Sequence, residues 1–309
     1  MQPEKNGKSI IINGISKWYD KKVQALDDIS LTVDRGELFG LIGPDGAGKT
    51  TLIRILTTLL LADKGNATVE QWDVVKDYRS IRSNVGYMPG RFSLYQDLTV
   101  LENMQFFATI FGTTIKENYE LVKDIYSQIE PFKHRKAGKL SGGMKQKLAL
   151  SCALIHKPKV LFLDEPTTGV DPVSRKEFWE MLKRLKAKGI TIFVSTPYMD
   201  EARLCDRIAL IQKGRILGID TPDQIIADYD KPLLAVRSNH MYQLIQDLRE
   251  FTATHTAFPF GEYVHLATSQ SITTEKLEEY LQDKGHEQLE IEPIAATIED
   301  CFMELMSQI

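Results

Sequence analysis

One glycine-rich loop constrains the fold of this 309-residue chain more than any other stretch. It runs from Gly43 to Thr50 and fits the pattern G-x-x-x-x-G-K-[ST]. An apolar run, Leu38 to Ile42, precedes it, and a helix-forming run, Thr51 to Leu61, follows it. Glycines let a backbone wrap around a phosphate chain, with N–H groups pointing inward and no Cβ in the way. The order of strand, loop and helix therefore predicts an α/β fold with a phosphate-binding loop.

Two side chains at the end of this loop suit a nucleotide and its metal ion. Lys49 can reach the β and γ phosphates, and the Thr50 hydroxyl can ligate Mg²⁺. The helix that begins near Gly48 adds the positive end of its dipole. The nucleotide-binding residues predicted in this segment are Gly43, Pro44, Asp45, Gly46, Ala47, Gly48, Lys49, Thr50 and Thr51.

A second apolar run, at positions 160–163, places two acids at its end. Continuous apolar character predicts a strand that is buried on both faces. Asp164 and Glu165 follow it directly, at the sheet edge where ligands of parallel sheets bind. We therefore predict Asp164 as a ligand of Mg²⁺ and Glu165 as the catalytic base for a water.

Ser141, Gly142 and Gly143 precede apolar residues at positions 144, 148, 152 and 155, which recur at helical spacing. This places them at a helix N-terminus, where bare N–H groups can bind an anion. An ordinary serine cap explains the same pattern, and the pattern alone favours that simpler interpretation. Similarly, Trp18 or Tyr19 could stack on a base, but the pattern alone favours packing on a sheet.

A turn-forming segment at positions 228–232 marks a boundary, and residues 116–137 before it read as a charged, helical insertion. Beyond the boundary the pattern predicts strands at 233–237, 252–258, 262–266 and 288–292, and helices at 240–250, 273–284 and 297–307. This is a small α+β unit with no glycine loop and no cluster of acids and histidines. Its four histidines, His240, His255, His265 and His286, are expected to be surface or satisfied side chains.

The overall composition excludes several classes of protein. A formal net charge of −4 argues against general binding of nucleic acid. No run of 18 apolar residues is present, so we expect no membrane span. The three cysteines lie far apart with no C-x-x-C pair, which predicts reduced core thiols in a cytoplasmic protein.

Together, in this order and at this spacing, the motifs resemble the ATP-binding cassette (ABC) ATPase family over residues 8–225. The matching segments are Walker A at Gly43–Thr50, the signature at Leu140–Met144, Walker B at Val160–Asp164 followed by Glu165, and the D-loop at Gly169–Pro172. Tyr19 matches the family's adenine-stacking aromatic residue, and the D-loop match adds Asp171 to the nucleotide-binding residues. Residues 231–309 look more loosely like the appended domain of bacterial ABC-2-type drug and polysaccharide exporter ATPases.

The resemblance implies a P-loop NTPase core with an antiparallel β subdomain, a helical subdomain at about 90–140, and a small C-terminal α+β domain. It also implies that two cassettes sandwich two ATP molecules, so that Ser141, Gly142 and Gly143 contact the ATP of the partner. The implied partners are a second cassette, identical or different, and membrane permease subunits, and nucleic acid is not among them. The implied location is peripheral, on the cytoplasmic face of the cell membrane.

Three positions depart from the family pattern. Asp45 stands where Asn is usual, Gly90 where the Q-loop glutamine is expected, and Pro197 where the switch histidine is expected. Two interpretations therefore stay open: the ATPase subunit of an exporter, or a regulatory cassette that binds ATP and hydrolyses it weakly or not at all. A soluble ABC protein acting on ribosomes or DNA ranks last, because such proteins usually carry two cassettes in one chain.

Overall fold

The computed structural model describes residues 7–20 and 22–307. The chain divides into two compact units, of which the first ends at Pro222 and the second begins at Asp223. The strands of the first unit are β1 (Lys8–Tyr19), β2 (Val23–Asp34), β3 (Leu38–Ile42), β4 (Lys64–Val69), β5 (Trp72–Asp73), β6 (Val85–Met88), β7 (Val160–Asp164), β8 (Thr191–Thr196), β9 (Arg207–Gln212) and β10 (Arg215–Asp220). Its helices are α1 (Lys49–Leu56), α2 (Tyr78–Asn84), α3 (Val100–Ile110), α4 (Tyr119–Tyr126), α5 (Gly142–Leu154) and α6 (Pro172–Ala187).

A six-stranded sheet in the order β10-β9-β3-β8-β7-β6 forms the centre of the first unit. Strands β9, β3, β8, β7 and β6 run parallel, and only β10 is antiparallel, as the second strand of a hairpin with β9. All residues of β3 and β7 are buried, which explains their continuous apolar runs. The carboxyl ends of β3, β7 and β8 therefore meet at one sheet edge, next to the glycine loop.

A second sheet in the order β2-β1-β4-β5 is wholly antiparallel and corresponds to the expected antiparallel β subdomain. In β2, Ile29, Leu31 and Val33 are buried, whereas the residues between them are more exposed. Alternation of this kind is what a strand with one core-facing side requires. The P-loop fold class predicted from the sequence is confirmed.

Two helix predictions in this unit need correction. Helix α1 begins at Lys49 and stops at Leu56 rather than at residue 61, because Thr58 adopts a positive φ of 63° that ends the helical path. The segment 116–137 holds only the short helix α4, followed by single 3₁₀ turns at Glu130–Phe132 and Ala137–Lys139. Pro131 lacks the N–H that a continuing helix would need.

The second unit follows the order of elements predicted for it. After α7 (Pro222–Ala227) come β11 (Leu233–Arg237), α8 (Met241–Glu250), β12 (Thr254–Phe260), β13 (Tyr263–Thr268), α9 (Thr274–Asp283), β14 (Glu290–Pro293) and α10 (Ile298–Ser307). The antiparallel sheet has the order β12-β13-β11-β14, which gives the βαββαβ arrangement of a split βαβ fold. Its main core combines one face of the sheet with the apolar sides of α8 and α9.

The histidines of this unit are surface or satisfied side chains, as expected, and three of them pair with carboxylates. His286 Nε2 lies 2.9 Å from Asp247 Oδ2, His265 Nδ1 lies 2.7 Å from Asp300 Oδ1, and His255 Nε2 lies 2.9 Å from Glu304 Oε2. The partners are 35 to 49 residues apart in the chain, so no local sequence pattern could reveal them. Three separate His–carboxylate pairs result, and His240 is exposed as expected.

The cysteine prediction holds, because Cys152, Cys205 and Cys301 are all buried and unbridged. Burial raises the pKa of the Cys301 thiol to about 11 and raises the pKa of the other two thiols further. In the described part of the chain, no helix is both long and apolar enough to cross a bilayer.

Candidate functional site

Close packing makes two glycines of the loop 43–50 necessary. A Cβ at Gly43 would lie 2.1 Å from the carbonyl oxygen of Ile211 in the neighbouring strand β9. Gly48 has a φ of 107°, and a Cβ there would lie 2.5 Å from the carbonyl oxygen of Ala25. The loop therefore folds tightly against β2 and β9, and α1 begins directly after it.

Lys49 is the central cation of this site, and its side chain is only 3% exposed. Its ammonium group donates to the carbonyl oxygens of Gly43 at 2.7 Å and Pro44 at 2.9 Å, so the loop curves around it. The same Nζ lies 3.1 Å from Oε1 of Glu165. Two residues that are 116 positions apart in sequence thus form one ion pair at the edge of the sheet.

Thr50 and Asp164 meet as predicted. The Thr50 hydroxyl donates to Asp164 Oδ1 at 3.1 Å, and the Ser195 hydroxyl donates to the same oxygen at 2.8 Å. Asp164 is buried at the end of β7, and Ser195 lies in the adjacent strand β8. A hydroxyl and a carboxylate at this distance are oxygen ligands of the kind that Mg²⁺ prefers.

Glu165 is held in a strained backbone conformation, with a φ of 50°. Its N–H donates both to the carbonyl oxygen of Ser195 at 3.0 Å and to the Ser195 hydroxyl at 3.1 Å. Ser195 therefore fixes both acids of the site, although sequence reasoning did not select it as a site residue. The available signal was that Ser195 lies near the end of a buried strand, next to the ends of the strands that carry the phosphate loop and the two acids.

The remaining loop residues differ in exposure. Asp45 and Gly46 are exposed, Ala47 is buried, and Thr51 is buried in the first turn of α1. The hydroxyl of Tyr19, at the end of β1, lies 3.3 Å from the Thr51 hydroxyl. Tyr19, the predicted adenine-stacking residue, therefore contacts α1, and it is 38% exposed.

The signature residues form a second group, beside the D-loop. Ser141 is the N-cap of α5 and accepts a hydrogen bond from the backbone N–H of Met144. A Cβ at Gly143 would lie 2.8 Å from the Ser174 hydroxyl, so this glycine permits close packing against α6. Asp171 caps α6, and the hydrogen bond from the Ser174 N–H lowers its pKa. Ser141 and Gly142 are exposed, which leaves the amide end of α5 accessible.

Two of the three departures from the family pattern, Gly90 and Pro197, lie next to the first group. A Cβ at Gly90 would lie 3.0 Å from the carbonyl oxygen of Asp164 and 3.8 Å from Cβ of Glu165. Pro197 directly follows Thr196, whose carbonyl oxygen accepts from the N–H of Gly43 at 3.2 Å. Both positions are therefore beside the phosphate loop and the two acids, and neither offers a polar side chain.

Comparison with known proteins agrees with this arrangement. The family model described as "ABC transporter" matches residues 26–168. The probable multidrug ABC transporter ATP-binding protein YbhF of Escherichia coli K12 is 36% identical over 97% of this chain and 52% of its own length. The chain thus spans about half the length of that relative.

Two further comparisons cover most of their counterparts. The Nod factor export ATP-binding protein I of Rhizobium sp. strain N33 is 38% identical over 72% of this chain and 73% of the relative. A dimeric structure of MJ0796, a bacterial ABC transporter cassette, is 25% identical with a TM-score of 0.63, covering 69% of this chain and 98% of that cassette. With the motif geometry above, these matches show that the chain belongs to the ABC transporter family and is one of its ATP-binding cassettes.

Proposed function

We propose that Gly43–Thr50 binds the phosphates of ATP and that the bound ATP is hydrolysed beside Glu165, to drive export through a membrane permease. The observation that carries this proposal is the meeting of Lys49, Thr50, Asp164 and Glu165 at one sheet edge. Tyr19, whose hydroxyl lies 3.3 Å from the Thr51 hydroxyl on α1, would stack on the adenine. The names of the relatives, which include a multidrug transporter protein and a Nod factor export protein, support the export role.

The residues at the site fit a magnesium ion. Thr50 and Asp164 would hold it, since both present oxygen atoms and Ser195 keeps the carboxylate in place. When bound, Mg²⁺ would neutralise charge on the β and γ phosphates. Lys49 would leave Glu165 for the phosphates, and the freed carboxylate of Glu165 would then accept a proton from the attacking water.

Nucleotide binding tests the site assignment directly. Lys49→Ala removes the ammonium group and leaves the glycines of the loop in place. We expect affinity for a fluorescent ATP analogue to fall at least about tenfold, or ~1.4 kcal/mol. Lys147→Ala is a suitable control, since Lys147 pairs with Glu177 on the surface between α5 and α6. A folded Lys49→Ala protein with unchanged affinity would remove the basis for this proposal.

The signature group supports a second cassette as partner. Ser141, Gly142 and Gly143 contact the D-loop side of the unit, and the amide end of α5 is accessible there. We propose that these groups bind the γ-phosphate of ATP held by the partner cassette. In such a head-to-tail dimer, this chain contributes Lys49 and Glu165 to one site and its signature to the other.

Gly90 and Pro197 favour an asymmetric pair. Both positions line the site that contains this chain's own phosphate loop, whereas the signature that completes the partner's site is intact. The loss of one preorganised polar group can slow a reaction by ~10²–10³. We therefore propose that ATP is hydrolysed slowly at the phosphate loop of this chain and at a normal rate at the loop of a different, complete partner cassette. This is a specific form of the regulatory cassette described above.

A pair of glutamate substitutions separates these possibilities in a reconstituted complex. Glu165→Gln in this chain should leave most of the ATP turnover, and the equivalent change in the partner cassette should abolish it. Equal losses from the two changes, or full turnover by this chain alone, would rule out the asymmetric arrangement.

We further propose that the permease binds an apolar groove of about 430 Å³ in the first unit, on the cytoplasmic face of the membrane. The groove is lined mainly by apolar side chains, among them Leu59, Tyr87, Leu94, Phe107 and Phe111. Leu59 is 55% exposed, so Leu59→Asp should weaken co-purification with the permease while leaving ATP binding intact. Equal recovery of permease with the variant would contradict this assignment.

For the domains, we propose a nucleotide-binding domain at 8–225, with its helical subdomain at about 90–140, and an accessory domain at 231–309. The division of the chain between Pro222 and Asp223, and the separate core of the second unit, support this boundary.

A further inference from the structure

The second unit contains a cavity of about 280 Å³ that the nucleotide chemistry does not use. Helices α8 and α9 cover one face of its sheet, where Ala257, Val264 and Leu266 join the core. Because side chains alternate along a strand, Phe258 and His265 point to the opposite face. These two residues pair across β12 and β13, and both line the cavity, which α10 closes with Asp300 and Met303.

Three aromatic side chains contribute to the wall of the cavity. Tyr229, Phe258 and Phe260 line it, and the Phe260 ring stacks on the His265 ring with a centroid distance of 4.1 Å. All three residues are only partly buried. A wall rich in aromatic faces attracts positive charge, because each face carries the negative part of the ring quadrupole.

Charged groups around the cavity are acidic. Glu299 and Asp300 line it, and none of the described lining residues is Lys or Arg. Asp300 is buried and accepts hydrogen bonds from the Thr297 N–H at 2.8 Å and hydroxyl at 2.6 Å, besides its contact with His265. Burial, together with the nearby Asp300 and Glu304 charges, raises the pKa of Tyr229, as expected in a negative potential.

A metal ion does not explain these acids. In the described part of the chain, no three His, Cys, Asp or Glu side chains converge in a way that could hold one. The two carboxylates disfavour an anion, and the aromatic ring faces favour a cation over a neutral ligand. The shape and chemistry instead match a small cation that also has an apolar or aromatic part.

We propose that this cavity binds a small organic cation, such as a quaternary or protonated amine carrying an apolar group. The cation contacts the faces of Tyr229 and Phe258, while Glu299 and Asp300 supply the opposite charge. The volume is near the lower end for ligand pockets and suits a molecule of about ten to fifteen non-hydrogen atoms. The second unit is thereby a ligand-binding unit in its own right, independent of the nucleotide proposal.

Three compounds that share a benzyl group and differ in charge test this site: benzyltrimethylammonium, 2-phenylethanol and phenylacetate. Titration calorimetry with the full chain should show saturable binding of the cation, at least about fivefold tighter than binding of the neutral compound. Phenylacetate should bind more weakly than both. Equal affinity for the cation and the neutral compound, or no saturable binding of the cation, would overturn the proposal.

Variants locate the binding in this cavity. Phe258→Leu keeps an apolar side chain but removes a ring, and we expect it to weaken binding of benzyltrimethylammonium by about fivefold. Tyr242→Leu removes a ring from α8, on the other face of the sheet, where Tyr242 is 79% exposed, and should have no effect. If Phe258→Leu does not fold, Glu299→Gln at the exposed rim is the second test variant, and we expect it to weaken binding of benzyltrimethylammonium by about twofold or more. Unchanged affinity in the folded cavity variant would contradict the assignment.

Discussion

In the proposed site, the Glu165 carboxylate and the phosphate of an incoming nucleotide would compete for the Lys49 ammonium group. Lys49 Nζ lies 3.1 Å from the Glu165 carboxylate, and this pair must break before Lys49 can bind phosphate. Glu165→Gln removes the competing charge, so we expect affinity for a non-hydrolysable ATP analogue to rise by about two- to fivefold, the range for a partly exposed ion pair. The same change should abolish the slow hydrolysis at this chain's own loop, and binding and turnover are both measured on one preparation of the purified chain without a partner.

A matched control for this substitution is Glu177→Gln. Glu177 forms a surface ion pair with Lys147 at 2.8 Å, so the change removes the same charge away from the loop. It should leave nucleotide affinity unaltered. If Glu165→Gln weakens binding, or if the control strengthens it equally, the competition for Lys49 is not the cause.

His156 makes the stability of the first unit depend on pH. Burial lowers its pKa, only partly offset by the hydrogen bond between Nε2 and the carbonyl oxygen of Val85. Nδ1 is buried and has no hydrogen-bond partner among the described residues, so a proton there would be unsatisfied. The folded state therefore binds fewer protons than the unfolded state, and the free energy of unfolding falls as the pH drops through about 6.5, the ordinary histidine value.

His156→Phe keeps the stacking on Phe111, whose ring lies 3.7 Å from that of His156, and removes the titration. Urea unfolding followed by tryptophan fluorescence reports on this unit, because all three tryptophans, Trp18, Trp72 and Trp179, belong to it. Between pH 7.5 and 5.5 the variant should lose less stability than the unmodified chain. Parallel losses in the two proteins would show that His156 does not titrate as described.

Residues of the site differ in how far the sequence could predict them. Lys49, Thr50, Asp164 and Glu165 were found because each sits at a fixed offset from a buried strand, and the structure brings them together. Ser195 was missed because its role is to hold two acids of a neighbouring strand, a relation between distant positions. The His–carboxylate pairs of the second unit were missed for the same reason.

Among the elements, helix α3 shows how a local signal becomes structure. Thr99 accepts from the Glu102 N–H at 3.2 Å, and the Glu102 carboxylate accepts from the Thr99 N–H at 2.7 Å, which forms a capping box. Both hydrogen bonds satisfy N–H groups that the first helical turn leaves free. A sequence shows a cap of this kind directly, because its two residues lie only three positions apart.

Thr99→Ala removes the hydroxyl of this cap and should destabilise α3 by ~1 kcal/mol. We expect amide hydrogen exchange in Val100–Ile110 to become about fivefold faster. Thr273→Ala is the matched control, because Thr273 caps α9 in the second unit and should change exchange only there. Unchanged protection of α3 in Thr99→Ala would show that packing alone maintains the helix.

Elements without such local signals were predicted less accurately. The segment 116–137 has the charge pattern of a helix, but its backbone hydrogen-bonds to α3 instead. The N–H of Val100 donates to the carbonyl oxygen of Arg135, and the N–H of Leu101 donates to the carbonyl oxygen of Lys133. Such long-range hydrogen bonds replace the continuing helix with short turns. The elements of the second unit, in contrast, alternate regularly between strand and helix patterns, and their order was predicted correctly.

For the whole molecule, the central proposal is that one cassette contributes its phosphate loop to one nucleotide site and its signature to another. The phosphate loop, Asp164 and Glu165 form one group, whereas Ser141 to Gly143 form another beside the D-loop. Gly90 and Pro197 lie beside the first group, so we propose that the chain is complete for nucleotide binding and short of two polar groups for hydrolysis. The order of the motifs could be predicted from the sequence, but only the structure shows that positions 90 and 197 lie beside the first group.

Steady-state ATP hydrolysis by the purified chain tests this claim most directly, in comparison with the double variant Gly90→Gln/Pro197→His. The glutamine requires the Asp164 backbone to yield slightly, because a Cβ at position 90 would lie 3.0 Å from that carbonyl oxygen. At saturating ATP, we predict slow turnover by the unmodified chain and a rate at least about tenfold higher in the double variant. Turnover by the unmodified chain that equals or exceeds that of a folded, ATP-binding double variant would contradict the account.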